Sequence, residues 1–100
     1  MNTKFIDFLK ELYRPYKSHN MCIILYNCIS TVSYNNFDSD IDLIEFLDKT
    51  MPEMVYIKSL IDDKEYQIYE DDLVNYTIDN FKNIIYIQLK NNKNKISIAF

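Results

Sequence analysis

The sequence predicts an α+β domain, a small antiparallel sheet of about four to five strands with two helices packed on one face. Three observations lead there. Apolar residues near the amino terminus and again around residue 44 recur at helical spacing. The second half alternates with period two, and the order runs helix, strand, helix, then strands only. A length of 100 residues fits one compact domain, 1–100, and no repeat, linker or low-complexity tract interrupts it. An apolar content of 48%, with 15% aromatic, supplies a core without disulfide or metal staples.

Residues 4–14 read as the first helix, with Phe5, Phe8, Leu9 and Leu12 on one face. Thr3 can cap its start and Pro15 stops it. Met21 to Tyr34 is rich in β-branched and aromatic residues. It reads as one long strand or as two strands turned near Asn27, with the segment through Tyr26 a strand in either case. Asn35-Asn36 marks a turn. A second helix follows over about 39–49, capped by Asp38 or Ser39, with Ile41, Leu43, Ile44 and Leu47 assigned to its apolar face. Asp40 and Asp42 suit the positive end of its dipole, Lys49 the negative end, and Pro52 lies past the stop.

Val55 to Ile61 and Glu65 to Tyr69 flank Asp62-Asp63-Lys64, a first hairpin. Glu70-Asp71-Asp72 reads as opening a short helical turn through Tyr76. Ile84 to Lys90 and Ile96 to Phe100 form a second hairpin across residues 91–95. Ile96, Ile98 and Phe100 alternate with Ser97 and Ala99, which buries one face of the last strand.

Glycine is absent, where average usage implies roughly seven in this length. That excludes phosphate-binding loops, dinucleotide fingerprints and nucleophile elbows, whose backbones need it. Asparagine becomes the residue expected at left-handed turns. Abundant Asn, Lys and Ile, with one Arg and one Ala, follows AT-rich coding. It points to a low-GC bacterium, a virus or phage of such a host, or an AT-rich eukaryote.

Catalytic and metal motifs fail one by one. Asp38-Ser39-Asp40-Ile41-Asp42 resembles the opening of a calcium loop, but Leu43 and Lys49 stand where glycine and a bidentate carboxylate are required. Asp62-Asp63-Lys64 has the spacing of a nuclease acid–lysine pair, yet a hairpin tip explains it better. One His and two Cys cannot complete a zinc site. His19 with Cys22 or Cys28 has no oxyanion site beside it. Both cysteines are expected to be reduced, mostly buried thiols. No cofactor, metal or catalytic residue is therefore assigned.

The expectation for location is the cytoplasm, that of the host if the source is viral. Asp7 and Glu11 interrupt any signal-like apolar region, and the longest apolar run, Met21 to Tyr26, falls far short of the roughly twenty residues of a membrane helix.

Charge is unevenly spread. Asp38 to Asp79 holds thirteen of the fifteen acids and three of the eleven basic residues, a net of −10, against +6 for the remainder. Such a segment repels nucleic acid and attracts a basic partner. Tyr66, Tyr69 and Tyr76, among nine tyrosines, lie close to Glu65, Glu70, Asp71 and Asp72. Carboxylates pair with guanidinium groups and tyrosine rings stack on them. The candidate partner-binding set is Asp62, Asp63, Glu65, Tyr66, Tyr69, Glu70, Asp71, Asp72 and Tyr76. The expected function is a small acidic protein-binding module. Its phage- or virus-type form is an inhibitor occupying a basic, nucleic-acid-binding surface of a host protein such as a defence nuclease, with no direct contact to nucleic acid or membrane.

The alternative is a structural or accessory subunit, including a homodimer paired through the edge of the last strand. An enzyme would draw on Asp38–Asp42, Glu70–Asp72 or the cysteines. A nucleic-acid binder would draw on Lys90, Lys93 and Lys95.

Overall fold

The computed structural model describes residues 3–34, 37–91 and 95–100. The class is α+β, and every strand pairing is antiparallel. Among the described residues the strands divide between two sheets. One has four strands, β1 (Met21–Tyr26), β2 (Thr31–Ser33), β3 (Met54–Ser59) and β4 (Glu65–Tyr69), in the order β2-β1-β3-β4. The other has three, β5 (Leu73–Asp79), β6 (Ile84–Leu89) and β7 (Ile96–Ala99), in sequence order.

Helix α1 (Thr3–Glu11) buries Phe5, Phe8 and Leu9 completely, with Leu12 just beyond it. The one-turn helix α2 (Tyr13–Tyr16) follows directly. Pro15 sits inside that turn, where its missing N–H interrupts nothing, so the chain bends at Leu12 instead of stopping. Helix α3 (Asp40–Thr50) is capped by the Ser39 hydroxyl, which accepts from the Asp42 N–H at 3.2 Å.

The inward stripe of α3 is Leu43, Leu47 and Thr50, so Leu43 and Leu47 of the expected apolar face are buried while Ile41 and Ile44 are not. Ile41 is 67% exposed and Ile44 40%. The spacing i, i+4, i+7 beginning at Leu43 defines the buried face, and Ile41 falls off it.

One core serves both sheets. Ile23, Leu25, Val55, Ile57 and Ile68 from the first meet Leu73, Ile85, Ile87, Ile96 and Ile98 from the second, with the α1 and α3 side chains in the same cluster. Tyr34 is buried among them and donates its hydroxyl to the Leu9 carbonyl at 2.7 Å. Burial, and then the neighbouring Tyr13 and Tyr16, push that hydroxyl well above the ordinary tyrosine range. The Tyr13 hydroxyl clasps Phe37, donating to its carbonyl and accepting from its N–H, both at 2.7 Å.

Three further expectations change. The segment 70–76 is a 3-10 turn only over Glu70–Asp72, and β5 begins at Leu73. Period-two burial against α1 outweighs the helical signal of the acids. Cys22 and Cys28 are free but exposed, because Cys22 points outward from β1 and Cys28 lies in the β1–β2 turn. Asn27 makes that turn, its side-chain oxygen accepting from the N–H groups of Ile29 (2.9 Å) and Ser30 (2.7 Å). Among the described residues the left-handed positions are His19, Met51, Asp63 and Asn83, with φ of 64°, 44°, 60° and 55°. Asparagine supplies one of these four.

Candidate functional site

The inner face of the β2-β1-β3-β4 sheet turns to the shared core, where α2 meets β1, and the outer face stays exposed or half-buried. The register arranges that outer face in rows. Tyr26, Met54 and Tyr69 stand side by side, as do Ile24, Tyr56 and Gln67, and then Cys22, Lys58 and Glu65. Thr31 and Ser33 of β2 extend the first two rows. The sequence produces this by strict alternation: Ile23, Leu25, Val55, Ile57 and Ile68 take the inward parity, leaving mostly larger amphipathic side chains outward.

Two carboxylates border the Tyr26–Met54–Tyr69 row. The Glu53 N–H donates to the Tyr26 carbonyl and the Glu70 N–H to the Glu53 carbonyl, both at 2.8 Å, so the two acids enter beside Tyr69. At the opposite end the Tyr56 hydroxyl donates to Glu65 Oε2 at 2.6 Å. That bond, with burial and the Glu65 charge adding to it, pushes the Tyr56 hydroxyl up to about 12. Lys58 lies 3.7 Å from the Asp63 carboxylate.

The expected site residues divide. Glu65 and Tyr69 are on the outer face, with Glu70 and the exposed Asp71 at one rim and Asp63 at the other. Tyr66 takes the inward parity and packs on the core. Tyr76 lies on β5, its ring 5.0 Å from that of Phe8 and its hydroxyl bonded to Glu11. Asp72 is half-buried, and its carbonyl accepts from the Lys90 N–H at 2.9 Å.

Asp62 works within the fold. Its carboxylate accepts from the Lys64 N–H (3.1 Å) and from the Ala99 N–H of β7 (3.2 Å), while Lys64 Nζ reaches the Ser97 carbonyl at 3.4 Å. Partial desolvation acts to raise the Asp62 carboxyl, but these N–H groups, the Ser59 hydroxyl and the Lys64 charge outweigh it and hold it below the ordinary range.

Ile24, Tyr26, Glu53, Met54, Tyr56 and Gln67 were not among the expected residues. The usable signal was parity: once Val55 and Ile57 are inward, Tyr56 and Lys58 must share a face with Glu65 and Tyr69.

Among the described residues no three His, Cys, Asp or Glu side chains gather as a metal-binding group, and no helix is long and apolar enough to cross a membrane. Lys93, of the basic hairpin tip, lies outside the described residues; Lys90 and Lys95 are exposed. No protein-family model, curated protein or solved structure matches the chain.

Proposed function

We propose that the protein is a non-enzymatic binding module that docks the outer face of the β2-β1-β3-β4 sheet on a basic protein surface. The observation that carries this reading is the register, which sets the half-buried Ile24, Tyr26, Met54 and Tyr56 and the exposed Tyr69 on one outer face. Around it stand Glu53, Asp63, Glu65, Glu70 and Asp71, with Lys58 as the cation. Tyrosine and methionine give large, adaptable contact area, and the carboxylates select arginine and lysine.

Four strands about 4.8 Å apart and about 20 Å long make a face of roughly 400 Å². A standard interface takes about 800 Å² per partner, so the acidic rims must engage as well. Binding should therefore weaken steeply with salt. An acidic field competing for a basic groove is the chemistry of a nucleic-acid mimic. With the AT-rich residue usage, this favours a phage- or virus-type inhibitor of a host nucleic-acid-binding enzyme, such as a defence nuclease, in the host cytoplasm. An accessory subunit paired through β7 is less well supported, because Asp62 and Lys64 already bond to that strand's outer edge.

The test is affinity capture from a nuclease-treated low-GC host lysate, with the paired variants Tyr26→Ala/Tyr69→Ala and Glu65→Lys/Glu70→Lys. One basic protein, captured by the native chain and reduced at least about tenfold by either pair, is the expected result. Thr77→Ala and Tyr86→Ala on the other sheet should leave capture unchanged. Capture that survives both outer-face pairs removes the proposal.

A further inference from the structure

Among the described residues the two sheets end in four edge strands, β2, β4, β5 and β7. A bare edge is a template for another strand, and this chain guards two of the four. On β7, the Asp62 carboxylate accepts from the Ala99 N–H at 3.2 Å and Lys64 Nζ donates to the Ser97 carbonyl at 3.4 Å. Helix α1 packs against β5, and Lys4 Nζ donates to the Val74 carbonyl. Edge β2 is three residues long, whereas β4 has five.

The bonds at the two ends of the β3–β4 pairing fix which groups of β4 are free. The Ser59 N–H donates to the Lys64 carbonyl at 2.9 Å, and the Glu70 N–H to the Glu53 carbonyl at 2.8 Å. Bonded and non-bonded pairs alternate along an antiparallel ladder, so Ile57 with Tyr66 and Val55 with Ile68 are bonded pairs. Glu65, Gln67 and Tyr69 are the alternate residues. Each turns one N–H and one C=O away from β3, and no other backbone bond to them is found among the described residues. Their side chains are exposed on the outer face. A strand laid along this edge would set every second side chain beside Glu65, Gln67 and Tyr69, and the others beside Tyr66 and Ile68.

We infer that the edge of β4 takes up an extended segment of the partner as an added strand, with Arg or Lys at alternate positions and apolar residues between them. The inference rests on the basic-partner reading above and names the segment by which that partner docks. Asp63 and Glu65 stand at one end of the edge, and Tyr69, Glu70 and Asp71 at the other. A cation opposite Glu65 pairs with its carboxylate, and an arginine opposite Tyr69 stacks on the ring. Lys64 does not oppose this, because it reaches away to Ser97. Lys58 lies one strand in, 3.7 Å from the Asp63 carboxylate. On the inner side, the half-buried Tyr66 gives the intervening residues an apolar contact. The same acids disfavour a second copy of this chain on the edge, since each copy would bring its own Glu65, Glu70 and Asp71 to meet them. Main-chain bonds supply affinity in this mode of recognition, and the alternating side chains supply selection.

The probe is a blocked peptide, Thr-Arg-Val-Thr-Val-Arg-Thr, added to the whole chain labelled with nitrogen-15. At saturation, amide exchange at Glu65, Gln67 and Tyr69 should slow at least about tenfold. Methylating the backbone nitrogens of the two arginines and the central threonine should weaken binding at least about tenfold. Methylating those of the two valines, which face away from β4, should change it little. Proline is tolerated on an edge strand where the N–H faces out, so Gln67→Pro should keep the unfolding cooperative and weaken the peptide as the first methylation does. Binding that shifts Tyr26, Met54 and Tyr56 without slowing exchange in β4 overturns the added strand and leaves the outer-face reading standing. Indifference to which nitrogens are methylated overturns it too, as does the absence of binding at about 1 mM peptide. Equal affinity for the peptide with glutamate in place of arginine overturns the selection for a basic segment.

Discussion

The middle row on the outside of the four-stranded sheet is Ile24, Tyr56 and Gln67, leading to a row of Tyr26, Met54 and Tyr69. Across the molecule, the outside of β5-β6-β7 presents Thr77, Tyr86 and Ser97, beside Asp79, Ile84 and Ala99. Inward, the two sheets are alike, filled with Ile, Val and Leu. Outward, one is broad, aromatic and edged with carboxylates, and the other is lined mostly by smaller side chains. The fold's requirement falls on the inward parity of both sheets equally. The large side chains on one outer face are surplus to that requirement, which is why a binding role is placed there and not opposite.

The largest expected effects test the shared inner side. Ile57→Ala and Ile87→Ala, one in each sheet, should each cost about 2–5 kcal/mol. Urea unfolding followed by far-ultraviolet circular dichroism and by tyrosine fluorescence should give one coincident transition in both variants. Separated transitions would mean two cores, and the comparison of faces would lose its common reference.

The joint between the sheets is the next target. Asp62→Ala should cost about 1 kcal/mol, at the low end for a charged acceptor because the site is exposed. The Asp62 carboxyl is held below its ordinary value. Its contribution is therefore complete above the ordinary aspartate pKa of about 3.9 and is lost as pH falls through the lower folded value. Stability against pH for the variant should lack that part of the acid limb. Equal acid slopes in both proteins would show that Asp62 does not latch β7.

The smallest effect sits on the aromatic face. Tyr56 should titrate near about 12 in an ultraviolet difference titration. Glu65→Gln should bring it back toward about 10. The bond is intact below the ordinary tyrosine value and is lost as pH rises through the folded one, with little movement of the unfolding midpoint. A Tyr56 indifferent to Glu65→Gln would show that the hydroxyl points elsewhere.

Much of this was legible in the sequence, and the limits have physical causes. Glu65–Tyr69 has the bounds read from alternation, and the α1 stripe Phe5, Phe8, Leu9 and Leu12 is buried as its spacing requires. The face of α3 was read half right, with Leu43 and Leu47 buried and Ile41 and Ile44 not, because both pairs have helical spacing and only tertiary packing chooses between them. Leu73 to Tyr76 was misread because three acids signal a helix start, whereas Tyr76, with Ile78 beyond it, gains more by packing beside α1. The acidic segment was visible in composition, but the fold divides its side chains between the two rims of one sheet and the joint to β7. The aromatic field beside it was missed, since it assembles from three strands whose pairing no local pattern reveals.

The four left-handed turn positions among the described residues have a consequence for how this chain can change. Met51 and His19 hold a geometry that costs an ordinary side chain about 1–2 kcal/mol, while Asp63 and Asn83 hold it more cheaply. Against a net stability of about 5–15 kcal/mol for a domain, two such turns are a sizeable fraction. A residue usage without glycine thus keeps some of the molecule's robustness in reserve. Replacing Met51 by glycine would release part of it, and the chain would then tolerate outer-face mutations of correspondingly greater cost.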